Sequence, residues 1–145
     1  MHFTLVPALA GLLGTLAMTL FTVLPVKMGL ARVDIIRAVG SYVTKNRETA
    51  FVPGLILHFI AGIIFAYIYY AIFAFIKGIP INALTGLFAG LVHGVVVMLY
   101  VVIAVLEHHP NDRYQKRGPM TGLMQLVGHG IFGLVFGLVC QYIKM

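Results

Sequence analysis

Three histidines lie inside long apolar segments of the chain, where ionisable side chains are rare. His58, His93 and His129 are flanked mainly by aliphatic, aromatic and glycine residues. An ionisable group within a bilayer is a candidate functional residue, because burying it without a partner is costly. Neutral imidazole can ligate a haem iron or another transition metal, and it can also contact a quinone or a pigment. The competing interpretation is that each histidine hydrogen-bonds a neighbouring helix or a water.

His58 and His129 form the strongest candidate pair, because they occupy matched positions of an internal repeat. We expect both to face a central cavity near the inner end of the bundle and to be able to hold haem b or another metal. His93 matches Met18 in the same repeat, and histidine with methionine is a known axial haem pair. Methionine is also an ordinary gap-filler in apolar cores, so packing is the favoured interpretation of Met18.

Glu107, His108 and His109 follow the third apolar segment and can bind a divalent metal. Together with His58 and His129 they would form a metal cluster on the inner side. Their spacing matches no established metal motif, so a solvated loop edge is the favoured alternative. The sequence has no motif for hydrolysis, phosphate binding or thiol redox chemistry, which favours a protein that is not an enzyme.

Four apolar segments must position these side chains: residues 3–24, 53–75, 83–106 and 120–143. Each reaches the roughly 20 residues that a helix needs to cross a bilayer. The 145 residues are 61% hydrophobic and only 10% charged, which excludes an ordinary soluble fold. The sequence therefore predicts a single all-α transmembrane domain. The first segment lacks a basic n-region, so we expect it to be retained and not cleaved as a signal peptide.

Basic residues follow the pattern of membrane topology. Eight of them fall in two loops on one side, and two fall on the other side: Lys27, Arg32, Arg37, Lys45, Arg47, Arg113, Lys116 and Arg117 against Lys77 and Lys144. This predicts a bacterial inner-membrane protein with cytoplasmic basic loops and both termini periplasmic. The net charge of +6 thus indicates lipid headgroups as partners and no nucleic acid. Residues 31–43 are predicted to form an amphipathic interfacial helix, and Tyr67, Tyr69 and Tyr70 an outer aromatic belt.

The four segments divide into two similar halves. ALAGLLGTLAMT at residues 8–19 matches ALTGLFAGLVHG at 83–94, and LILHFIAGIIFA at 55–66 matches LVGHGIFGLVFG at 126–137. We predict a four-helix bundle of two tandem helical hairpins, related by a pseudo-two-fold axis along the membrane normal. Small residues recur every four positions, as in Gly86, Gly90 and Gly94, and predict close helix packing.

The elements GLLGTLAMTL, RVDII, LILHF, GLVHG, RGPM and GHGIFGLVFG occur in this order along the chain. In this layout the chain resembles a group of small, uncharacterised four-span bacterial inner-membrane proteins. The resemblance covers nearly the whole chain and implies the four-span fold but no activity. It also draws attention to Asp34, His58, His93 and His129.

Two functions are compatible with these features. The first is a non-catalytic or accessory subunit of a larger membrane assembly, for example an electron-transfer complex, with a histidine site for haem, metal, quinone or pigment. Small size and short outer loops favour it, and other membrane-protein subunits would be its partners. The alternative is a small channel or transporter for a neutral solute along the pseudo-two-fold axis, with His93 as a gate.

Overall fold

The computed structural model describes residues 5–28, 34–100, 103, 107–110, 114 and 118–143, without the side chains of residues 118 and 119. Within them the chain forms five α-helices: α1 (Val6–Lys27), α2 (Ile35–Thr44), α3 (Phe51–Phe75), α4 (Ala83–Tyr100) and α5 (Gly118–Tyr142). In this described part, α1, α3, α4 and α5 are long and apolar enough to cross a membrane. The chain therefore has the make-up of a multi-pass membrane protein.

These four helices correspond to the four predicted apolar segments, but their ends differ. α1 continues through Pro25 to Lys27, because a proline near a helix end removes only one hydrogen bond. α3 begins two residues before Pro53, since a proline in the first turn lacks an N–H that would have no helical partner. Residues 3 and 4 of the first predicted span lie outside the described residues. So do residues 101, 102 and 104–106 of the third.

Close packing joins three pairs of long helices: α1 with α3, α1 with α5, and α4 with α5. Glycines bring the backbones together at these contacts, as between α4 and α5 and between α1 and α3. A side chain on Gly86 would collide with the Gly133 carbonyl of α5, and a Cβ on Gly11 would lie 2.9 Å from the Gly62 carbonyl oxygen of α3. Small residues allow such approach where lipid supplies no hydrophobic drive for association.

The half of the bundle near the 76–82 turn is filled with aromatic side chains. Tyr69 of α3 lies edge-on to Phe132 and Phe136 of α5, with ring centroids 5.7 and 5.4 Å apart. Phe73 stacks on Phe136 at 6.5 Å. All of these rings belong to or pack against one buried cluster that also includes Cys140. This half of the bundle is therefore a packed core.

The other half is closed by α2, the predicted amphipathic helix, which spans Ile35–Thr44 in the described part of the chain. Asp34 caps its N-terminus by accepting a hydrogen bond from the Arg37 N–H at 3.0 Å. Residues 31–33 of the predicted helix lie outside the described residues. α2 packs on α3 where Gly40 meets the backbone at Ala50 and Gly54, so closely that neither glycine has room for a side chain. Arg37 strengthens this crossing through the Arg47 carbonyl (3.1 Å).

Candidate functional site

A cavity of about 670 Å³ lies between α2 and the aromatic core. All five helices line it, and most of its wall is apolar. The predicted residues His58, His93 and His129 all lie in this wall, one each from α3, α4 and α5. A largely apolar cavity of this size with a few converging polar groups is typical of a small-molecule site.

His129 is held by its own helix. Its Nδ1 lies 2.7 Å from the Gln125 carbonyl oxygen, one turn earlier. A carbonyl only accepts hydrogen bonds, so a neutral ring must carry its proton on Nδ1 and its lone pair on Nε2. Gly90 and Gly94 of α4 pack against the His129 backbone and Cβ, which fixes the ring's position. Nε2 is therefore an oriented acceptor, suited to a hydroxyl group or a metal ion.

His93 lies beside His129 and is held by aromatic residues. Their ring centroids are 4.8 Å apart at an interplanar angle of 76°. Its Nδ1 lies 3.1 Å from the Tyr69 hydroxyl, which is also within 3.3 Å of the Ala89 carbonyl oxygen. Phe65 covers the ring at a centroid distance of 4.1 Å. The orientation of the His93 ring is thus set by side chains of the neighbouring helix α3.

His58 carries the clearest unsatisfied polar atom in the cavity wall. Its Nε2 is buried and has no hydrogen-bond partner among the described residues. Phe59 contacts the ring edge-on at 6.5 Å. An unpartnered buried polar atom costs about 1–3 kcal/mol, so a ligand group that pairs with it contributes stability as well as affinity.

The sequence predicts haem binding by His58 with His129 or by His93 with Met18, whereas the two rings in direct contact are His93 and His129. Two imidazoles that ligate one haem iron would lie on opposite faces of the porphyrin. His93 and His129 contact edge to face, so no porphyrin fits between these two rings. Met18 lines the same cavity as His93, but its Cγ and Cε pack 3.3 Å from where Gly128 would carry a Cβ. This packing is the alternative that the sequence favoured for Met18.

The predicted metal cluster is divided between separate places. Glu107 and His108 are exposed, and the His108 Nδ1 bonds the Ile103 carbonyl at 2.7 Å. His109 is only 1% exposed, which differs from the solvated loop edge favoured for it. Across the part of the chain that the structure describes, no three His, Cys, Asp or Glu side chains are arranged to hold a metal ion.

His109 instead attaches its segment to α2. Its Nε2 lies 3.1 Å from both the Ser41 hydroxyl and the Ala38 carbonyl oxygen. Tyr42 and Tyr114 contact the ring, each at a centroid distance of 4.6 Å. This contact fixes α2 over the cavity, so His109 supports the floor of the site without lining it.

A family model matches the chain over residues 1–145. The chain belongs to DUF6789, a family of unknown function. This confirms the prediction of an uncharacterised family. No curated protein and no solved structure matches the chain. For this DUF6789 protein the function therefore has to be argued from the cavity itself.

Sequence reasoning missed residues that line the cavity or hold its histidines in place. Tyr69 was assigned to an outer aromatic belt, but it is 5% exposed and bonds His93, so that assignment is wrong for Tyr69. Its position four residues after Phe65 was an available signal, because residues so spaced share a helix face. Gln125 lines the cavity and was not singled out from the sequence. The Gln125 position, one turn before His129, could have been noticed in the same way.

Proposed function

We propose that the protein is a non-catalytic subunit of a larger electron-transfer assembly in the bacterial inner membrane, and that its histidine-lined cavity binds a quinone. One observation carries this proposal. His58, His93 and His129 converge on one apolar cavity, and the Nε2 atom of His58 has no partner there. A bound molecule with polar oxygens would satisfy these nitrogens, and an apolar ring would fill the remaining volume.

The chemistry of the wall favours a quinone over haem or a metal ion. A quinone ring carries carbonyl oxygens that accept hydrogen bonds, and its reduced form carries hydroxyls that donate them. The Nε2 acceptor of His129 suits a quinol hydroxyl, and an Nε2–H of His58 would suit a carbonyl. The close contact of His93 with His129 leaves no room for a porphyrin between these two rings, and the absorbance spectrum tests the predicted pair of His58 and His129. A pigment with similar oxygens in the extracted ligand would identify the cavity as a pigment site instead.

Contacts at matched positions support the proposed pair of tandem hairpins. Gly11 packs against Gly62 and Ala66 in the first half, and Gly86 packs against Gly133 and Gly137 in the second. The sequence repeat aligns Gly11 with Gly86, Gly62 with Gly133 and Ala66 with Gly137, so the two contacts lie at equivalent positions of the two halves. The excess of Lys and Arg in the loops at the α2 end supports placing that end, and the cavity, on the cytoplasmic side with both termini periplasmic.

Purification in a mild detergent, followed by solvent extraction and mass spectrometry, tests the bound ligand. We expect a quinone to co-purify with the wild type and to be lost in a His58→Ala, His129→Ala double variant. His108→Ala is the matched control, because His108 is exposed and outside the cavity. Subunits that co-purify would identify the assembly. An empty extract would refute the quinone proposal, and a Soret band would replace it with haem.

The alternative of a channel for a neutral solute has weaker support. Its path would have to continue through the half of the bundle that Tyr69, Phe132 and Phe136 fill. The cavity wall does not extend past Thr15 on α1 or Phe132 on α5 in that direction. Flux of small neutral solutes into proteoliposomes, compared between wild type and a Phe132→Ala variant, tests the alternative directly.

A further inference from the structure

The cavity wall contains only a few side chains that are also well exposed at the surface. Among its described residues these are Leu57, Val96 and Tyr100, at 39, 62 and 64% exposure. The other residues of the wall are buried or half-buried. A residue that lines a cavity and also faces outward marks its mouth. Leu57 belongs to α3, and Val96 and Tyr100 belong to α4, so this mouth lies between those two helices.

α3 and α4 are also the neighbouring long helices that lack close packing. Among the described residues, the other three neighbouring pairs of long helices pack closely: α1 with α3, α1 with α5, and α4 with α5. Contacts between α3 and α4 involve the side chains of Phe65, Tyr69 and His93, at the aromatic end of the cavity. Toward α2 the two helices leave a lateral gap, which we call the α3–α4 opening and define by Leu57, Val96 and Tyr100.

Entry from water at the α2 end is obstructed. Ile35, Ile36 and Val39 of α2 form the floor of the cavity. The Gly40–Gly54 crossing and the His109 contact hold α2 in place. Asp34 is the only acidic or basic residue other than histidine in the described wall, and its carboxylate is paired with Arg37 at 3.1 Å. The floor is thus mainly apolar and fixed, whereas the side toward lipid is open.

We propose that the ligand enters the cavity sideways from the bilayer through the α3–α4 opening, and that it is a quinone with an apolar isoprenoid tail. This inference rests on the proposed function and adds the apolar tail of the quinone, its route of entry and its orientation. The polar head lies against the three histidines, and the tail leaves past Val96 into the lipid. Val96 and Tyr100 come three and seven residues after His93, so the three side chains follow one face of α4 from the head site to the mouth.

Tryptophan substitutions at the opening test this inference. Purified protein in lipid nanodiscs is titrated with decylubiquinone and with the same dimethoxy-methyl-benzoquinone head without a tail. We expect Val96→Trp and Leu57→Trp each to weaken decylubiquinone binding about tenfold or more, while binding of the tailless head changes much less. Val92→Trp is the matched control, since Val92 is 53% exposed on α4, one turn away, and outside the cavity wall. It should bind like the wild type.

A photolabel provides a second measurement that needs no substitution. A diazirine at the end of the decyl tail should label the lipid-facing sides of α3 and α4 in the wild type. Labelling confined to α2 would overturn the lateral route. Unchanged decylubiquinone binding in both tryptophan variants would also overturn it, and the proposed function would survive if the His58→Ala, His129→Ala variant still lost binding. If the wild type binds neither quinone, both proposals fail.

Discussion

Gly133 of α5 lies where α4 and α5 pack backbone to backbone, and Gly133→Ala tests whether glycine contacts hold the histidine site together. A Cβ built on Gly133 would collide with the Gly86 carbonyl and lie 2.8 Å from the Cα and N atoms of Gly90. All three are backbone atoms, so no side chain can rotate away. The Gly86 carbonyl is the nearest of these atoms, and to restore a normal contact with it the helices must separate by about 1 Å.

The energetic consequence can be estimated from that separation. A radial gap of 0.5–1 Å forfeits roughly a quarter to a half of the dispersion attraction between facing atoms. Inserting a methyl group into tight packing costs about 1–3 kcal/mol in protein cores. The better helix propensity of alanine offsets little of this, because a membrane-spanning segment stays helical when its neighbours separate. We therefore expect Gly133→Ala to lower the free energy of unfolding by about 1–3 kcal/mol.

Reversible unfolding in mixed dodecylmaltoside and SDS micelles, followed by circular dichroism and tyrosine fluorescence, measures this change. Gly130→Ala and Gly128→Ala are matched controls on the same helix. Their new Cβ atoms would meet side-chain atoms of Leu91 at 3.0 Å and Met18 at 3.3 Å, which can move. Both controls should stay close to the wild type. Equal stability of Gly133→Ala and Gly130→Ala would refute the argument that backbone contact between α4 and α5 is essential.

Three further predictions concern α2 and its attachment over the cavity. Asp34→Ala removes the N-terminal cap of α2 and the ion pair with Arg37, and should lower the free energy of unfolding by about 1 kcal/mol in thermal unfolding. Asparagine can still cap the helix, so an Asp34→Ala protein as stable as Asp34→Asn would contradict the capping role. Lys45→Gly should raise stability by a few tenths to about 1 kcal/mol, because residue 45 has φ of 54°, and a loss of stability on thermal unfolding would speak against this. His109→Ala removes the contact with the Ala38 carbonyl and should accelerate amide hydrogen exchange across α2, whereas unchanged exchange would show that other contacts hold the helix.

Much of the fold could be predicted from the sequence because its signals are local. Long apolar segments satisfy their backbone groups only as helices in lipid, which is why the four long helices were found from length and composition alone. The ends of these helices were predicted less accurately, because Pro25 and Pro53 were expected to mark helix ends but lie inside α1 and α3. The helix α2 was predicted from its amphipathic pattern, and Asp34 caps its N-terminus.

The candidate site, like the fold, was predictable from the sequence only in part. Local sequence patterns were enough to place His58, His93 and His129 within apolar helices as candidates for one site, because burial makes isolated polar groups costly. Three features required the packed structure: His93 lies against His129, Tyr69 turns inward to hold His93, and His109 attaches its segment to α2. Helix periodicity gives the face on which a side chain lies, but the rotation and separation of helices depend on contacts such as Gly86 with Gly133. These contacts join residues far apart in the sequence, and local patterns do not encode them.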